Sequence, residues 1–223
     1  MLPLTIQQAD LQALSHTNAE VLTHLLQTRS RQCEIIANVS GGRASERDLL
    51  IMLRRKNIRI LIDAGAQILE MDNEALAKTW LELDYRCPAA LYFDSTNKPW
   101  VMSRQGWRKT PLLASPYADD LRDCLVYLDE AHTRGTDLKF LLEARGALTV
   151  GQGQSKDNTV QGEDVPLETV YYECQRLFVT AAMRLRQLGT SQSITFFVPP
   201  EVHQVIVDRG GKSASDKIES HDV

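Results

Sequence analysis

The sequence predicts an α/β protein built on a doubly wound, mainly parallel sheet. Three observations point to it. Five short, almost wholly apolar runs lie at 58–62, 89–93, 125–128, 147–150 and 194–198, each too short for a buried helix. Segments with helical spacing of apolar residues separate several of them. The runs lack polar alternation, as expected of strands covered on both faces. With 223 residues, 43% of them apolar, the chain is long enough to cover such a sheet.

Taken in order, residues 1–57 read as a helical N-terminal segment. Residues 10–14 carry a short apolar face, and Asn18 is placed to cap a helix over 19–37 with Val21, Leu22, Leu25, Leu26, Ile35 and Ile36 near one stripe. Ser40-Gly41-Gly42 ends it. Ser45 caps a second helix over 46–56, whose acidic start and Arg54-Arg55-Lys56 finish suit the helix dipole. From residue 58 to 208 the pattern is α/β. A strand at 58–62 closes on Asp63-Ala64-Gly65, and a helix over 73–83 turns Leu76, Trp80 and Leu83 inward. Residues 89–93 form a strand that turns at 95–99 into a second at 100–102. Ser115-Pro116 opens a short helical turn ahead of the strand at 125–128. Strands at 147–150 and 194–198 and helices over 156–161, 181–188 and 200–207 complete the unit. Residues 209–223 are polar and read as a disordered tail.

Composition narrows the function. A net charge of −4 gives no overall footprint for nucleic acid, so no nucleic-acid partner is expected. The four cysteines, Cys33, Cys87, Cys124 and Cys174, include no C-x-x-C pair, so no metal site and no cofactor are expected. The N-terminus lacks the basic and apolar regions of a signal peptide, and no apolar run reaches 18 residues. An intracellular, cytoplasmic protein without a membrane partner is the expectation.

The strand at 125–128 runs directly into dense charge. Asp129, Glu130, His132, Arg134 and Asp137 follow within nine residues, around Gly135. Open α/β sheets present functional side chains beyond the carboxyl ends of their strands. Such charge is costly to bury unpaired, so the cluster belongs in a wet or ligand-lined crevice. His132 is open to a functional role or to that of a hydrogen-bonded loop residue. Arg134 and Asp137 are placed to pair across the Gly135 turn.

Several segments resemble a family of very large fungal ubiquitinyl hydrolases grouped with the ovarian-tumour-type deubiquitinases. They are Leu61-Ile-Asp-Ala-Gly-Ala66, Val126-Tyr-Leu-Asp-Glu-Ala-His-Thr-Arg-Gly-Thr-Asp-Leu138, Lys156-Asp157, Val160-Gln161, Met183-Arg-Leu-Arg-Gln-Leu-Gly189, Gln192-Ser193 and Pro200-Glu201-Val202. They run in the family's order over roughly residues 60–207. The resemblance implies a C-terminal piece of a larger thiol-dependent enzyme that cleaves bonds to the ubiquitin C-terminal glycine. Its implied partners are ubiquitin or ubiquitinated proteins and the remainder of the larger protein.

A second likeness concerns fold. His132-Thr-Arg-Gly-Thr-Asp-Leu-Lys139 is similar to a motif in the second motor domain of superfamily 2 helicases, and Gln161 with Arg184 and Arg186 to their arginine helix. It implies a RecA-like half. Asp129-Glu130-Ala131-His132 also spells a DEAH box, but no phosphate-cradling G-x-x-x-x-G-K-[ST] loop accompanies it. Gly211-Lys212-Ser213 has that ending, yet Ile206 stands where the first glycine is required. Met183 and Leu185 replace glycines of the arginine helix. The alternative function is therefore a helicase-like nucleotide-binding or scaffold module without autonomous catalysis.

No cysteine is assigned as nucleophile. Cys124 and His132 stand at opposite ends of one strand, roughly 25 Å apart at about 3.3 Å per extended residue. Leu121 occupies the position where the family grouping carries the aspartate of D-x-x-C. Cys33, Cys87 and Cys124 read as structural, and the nucleophile is expected outside the chain. Residues 162–180 interrupt a continuous family pattern, either as a surface insertion or as a retained, translated intron.

Overall fold

The computed structural model describes residues 32–38, 40–133, 138, 140, 143–151 and 191–210. Its centre is a sheet of eight strands: β1 (Gln32–Ile35), β2 (Ile60–Ile62), β3 (Ala89–Phe93), β4 (Pro99–Ser103), β5 (Lys109–Pro111), β6 (Cys124–Leu128), β7 (Arg145–Thr149) and β8 (Ser193–Val198). They lie in the order β1-β8-β7-β2-β6-β3-β4-β5. The five pairings from β1 through β3 are parallel, and the two that attach β4 and β5 are antiparallel. The mainly parallel α/β sheet foreseen from the apolar runs is present.

Alternation along the strands divides the core in two. Leu61, Ala90, Tyr92, Leu125, Tyr127, Ala147 and Phe197 face helices α1 (Glu46–Arg55) and α2 (Asn73–Leu83). Those helices contribute Leu49, Leu50 and Leu53, and Leu76, Ala77, Trp80 and Leu81. Ile60, Ile62, Leu91, Val126, Leu128, Leu148 and Phe196 point to the opposite face, where Leu112, Leu121, Leu138 and Val202 of helix α3 (Pro200–Gly210) close over them. Both faces are covered, which is why the central strands carry no polar alternation.

Local chemistry sets the element ends. Ser45 and Asp48 form a reciprocal capping box at the start of α1: the Ser45 side chain accepts from Asp48 N, and the Asp48 side chain accepts from Ser45 N. Asp72 caps α2 by accepting from Ala75 N at 2.7 Å. Between β3 and β4 the Asp94 carboxylate gathers the amides of Thr96 and Lys98, the Thr96 hydroxyl and the Trp100 indole N–H. Led by the Lys98 amide, these donors hold Asp94 well below the ordinary carboxylate range, at about 2.

Some expectations are corrected. Residues 32–35, read as the end of a helix over 19–37, form edge strand β1, hydrogen-bonded in parallel to β8. Their apolar residues fit a helical stripe, but pairing with an open sheet edge satisfies the same backbone groups, and tertiary contact decides. Helix α1 packs its leucines on the same sheet face as α2. The antiparallel strand β5 was not foreseen, and its three residues end at Pro111, which suits an edge. The turn expected from Ser115-Pro116 is a 3-10 turn over Leu112–Ala114, which Ser115 closes by donating its hydroxyl to Leu112 O. Helix α3 continues through Asp208 to Gly210, into the segment read as tail. Residues 1–31, the helices at 156–161 and 181–188, the interruption at 162–180 and residues 211–223 lie outside the described residues.

One contact fixes the spacing of β2 and β7 at their carboxyl ends. A Cβ on Gly65 would lie 2.4 Å from both Gly151 N and Val150 C, and backbone cannot swing aside. Gly65→Ala is expected to lower unfolding stability by about 2–4 kcal/mol, measured by urea denaturation. The same substitution at Gly41, where no atom lies within 4 Å of the added Cβ, is the comparison: it meets only the positive-φ penalty of about 1 kcal/mol.

Candidate functional site

The chain reverses its lateral direction at β2. From β2 it passes through α2, on one face, to β3; after β6 it returns past β2 to β7, with Leu138 on the other face. Neighbouring strands β2 and β6 therefore send their connections to opposite faces, which opens a crevice beyond their carboxyl ends. A cavity of about 470 Å³ lies there, bounded by the ends of β2, β3 and β6 and the start of α2.

Its floor is organised by Asp63, the first residue after β2. The carboxylate is 2% exposed. It accepts from the Thr149 hydroxyl at 2.6 Å, from Gln67 N at 2.8 Å and from Ile68 N at 3.0 Å. Thr149 also accepts from Gly65 N, so the ends of β2 and β7 are tied twice. Burial pushes the Asp63 carboxyl above its ordinary value, against these three donors and with the help of the nearby Glu46 charge.

The outer wall, residues 66–72, is clamped by Glu46. Its carboxylate accepts from the backbone amides of Leu69, Glu70 and Met71, the latter two at 2.6 and 2.9 Å. One buried side chain thus satisfies three consecutive donors that no strand or helix serves. Ala66, in the same wall, holds φ at +48°, an uncommon conformation for a residue with a Cβ.

The structure separates the residues singled out in the sequence. Asp129 and Glu130 line the crevice. Asp129 caps a 3-10 turn over Glu130–His132, accepting from His132 N at 3.0 Å. Its carboxylate also meets His132 Nδ1 at 2.5 Å and accepts from the Asn73 side-chain amide, which donates as well to Phe93 O. His132 is buried, stacks on Phe93 with ring centroids 4.0 Å apart, and is not among the lining residues. It joins the β6 turn to the end of β3. Arg134, Asp137, Arg184 and Arg186 lie outside the described residues, as does Cys174.

Three described cysteines remain. Cys33 is on edge strand β1; Cys87 and Cys124 are buried. Cys124 opens β6 and lines a smaller cavity of about 210 Å³, with Arg59, Arg122 and Arg145, at the amino ends of the strands. Burial pushes its thiol up to about 12 and raises that of Cys87 as well. Cys124 and the Asp129 turn therefore occupy opposite ends of β6, as the length of the strand implied.

Sequence reasoning missed Asp63, Glu46, Asn73, Tyr127 and Thr149 as parts of this site. Asp63 was visible as the residue that ends the apolar run at 58–62, two before Gly65. Glu46 looked only like an acidic helix start, Tyr127 only like part of an apolar strand and Asn73 only like the start of a helix, and Thr149 carried no signal of its own. Among the described residues no three Asp, Glu, His or Cys side chains converge as a metal site, and no described helix is long and apolar enough to cross a membrane. Comparison with protein-family models, with curated proteins and with solved structures found no match.

Two outcomes test this construction. Glu46→Ala, which strands three amide donors, is expected to cost about 2–4 kcal/mol in urea denaturation, whereas exposed Glu70→Ala stays within about 0.5 kcal/mol. Asp63 gives a pH signature. Its folded pKa is above the unfolded value of 3.8, so its contribution to stability is full below that value and is lost as pH rises through the folded pKa. Unfolding free energy measured upward from pH 4 should contain this declining component, and Asp63→Asn should lack it.

Proposed function

We propose that this chain is part of a thiol-dependent ubiquitinyl hydrolase, in which the described α/β unit supplies a binding crevice rather than the nucleophile. The observation that carries the reading is the Val126–Leu138 stretch. Its resemblance to the fungal ubiquitinyl hydrolases covers β6 and the turn carrying Asp129 and Glu130, which line the crevice. A second family segment, Leu61–Ala66, contains Asp63 and Gly65 on the adjacent strand end. Two stretches distant in sequence thus belong to one site, which supports the resemblance as a functional one.

In this reading ubiquitin or a ubiquitinated protein is the partner, the larger protein provides the thiol, and the cytoplasm is the setting. The α/β unit is read as a RecA-like half, in line with its mainly parallel sheet. Burial and raised thiol pKa values make Cys87 and Cys124 poor nucleophiles at neutral pH. The helicase-like alternative has less support, because the described lining of the crevice carries six carboxylates and no lysine or arginine. Nucleotide phosphates would meet like charge there.

The test uses ubiquitin bearing a C-terminal thiol-reactive electrophile, with peptide mapping of every cysteine, beside titration of the chain into isotope-labelled ubiquitin. Saturable shifts on ubiquitin without an adduct at Cys87 or Cys124 are the expected outcome. An adduct at either cysteine overturns the crevice-only role, and absence of any shift overturns the ubiquitin reading.

A further inference from the structure

The crevice has a chemical bias of its own. Asp63, Asp72, Glu74, Asp94, Asp129 and Glu130 line it, and none of its described lining residues is basic. The positive pole of α2 opens on the same space, but Asp72 and Glu74 stand in its first turn and offset it. The rim already holds one ammonium: Lys109 Nζ, from β5, reaches both Glu74 oxygens at 2.9 and 3.1 Å.

A second observation is independent of the acids. Tyr127 lines the crevice yet is only 2% exposed, and its hydroxyl has no hydrogen-bond partner among the described residues. Among the described residues the buried side-chain polar atoms without a partner are Gln67 Oε1 and Trp80 Nε1; the Tyr127 oxygen is not one of them and opens on the crevice. The neighbouring Tyr92 hydroxyl, by contrast, donates to Glu74 at 3.4 Å. Burial and the charges of Asp63, Asp129 and Glu46 raise the Tyr127 phenol, so it stays protonated, with free lone pairs to accept a donor.

From the unpaired Tyr127 hydroxyl and the surrounding carboxylates, we infer that this crevice binds an arginine side chain presented by a basic peptide segment. A guanidinium offers five donors in a flat fork, enough to serve the Tyr127 oxygen and the carboxylates of the α2 start together. A lone metal ion fits less well, since no three ligating side chains among the described residues converge on one point. The inference stands apart from the thiol chemistry proposed above and holds whichever larger protein the chain serves.

The experiment is fluorescence anisotropy of a fluorescein-labelled, end-capped tetra-arginine peptide with the full chain at low salt. Saturable binding is expected, about tenfold weaker in Asp72→Asn/Glu74→Gln and several-fold weaker in Tyr127→Phe. Asp119→Asn/Asp123→Asn removes the same charge near the amino end of β6 and is expected to bind like the parent. Circular dichroism and thermal melting accompany each variant, so that unfolding is not mistaken for lost affinity. Absence of saturable binding, equal weakening by the two double variants, or full affinity in folded Tyr127→Phe each overturns the inference. Lost ubiquitin binding with intact tetra-arginine binding would overturn the previous proposal alone.

Discussion

The carboxylate of Asp63 is the interaction on which the site depends. It sits where β2 ends, inside the molecule, and its oxygens are shared between a neighbouring strand and the loop that follows. Thr149 ties it to β7, while Gln67 and Ile68 fold the chain back over it. A carboxyl so placed cannot be exchanged for an apolar group without leaving two backbone amides and a hydroxyl unpaired in the interior. The close approach of Gly65 and Gly151 belongs to the same junction: the strand ends must nearly touch for Thr149 to reach both Asp63 and Gly65 N.

Around that junction the crevice is held by side chains that reach across the fold. Glu46 projects from α1 to hold the loop after β2, and Asn73 at the start of α2 bridges the end of β3 to the turn after β6. His132 completes the frame by stacking on Phe93. Each of these polar groups is hydrogen-bonded within the protein, so each is held in place. Tyr127 and the carboxylates at the start of α2 are what the frame presents to the crevice. The distinction matters chemically. A preorganised frame lets a binding surface act without first ordering itself.

The two ends of the sheet differ in character. Six carboxylates and no described basic residue line the crevice at the carboxyl ends, while Arg59, Arg122 and Arg145, with Glu143, line the smaller cavity at the amino ends. The two cavities thus differ in charge within a chain whose net charge is a modest −4. The same division sets apart Cys124, beside the arginines, from the Asp129 turn.

Local sequence determined most of the strands and two of the helices. The runs around Leu61, Leu91, Val126 and Phe196 are too apolar and too short to be anything but covered strands. Ser45 announces α1 because a cap is satisfied within four residues of itself, and the spacing of Leu76, Trp80 and Leu83 announces α2. The charged turn after Leu128 was legible for the same reason, since Asp129 and Glu130 follow their strand directly. What tertiary structure alone decided are the partners far apart in the chain. Strand β1 exists because β8 offers an open edge. His132 stacks on Phe93 because the fold lays one over the other, and Asp63, Glu46 and Tyr127 gained their surroundings from residues that the chain reaches only after folding. Hydrogen bonds between distant segments leave no period or spacing in a sequence; only the fold brings their donors and acceptors within reach.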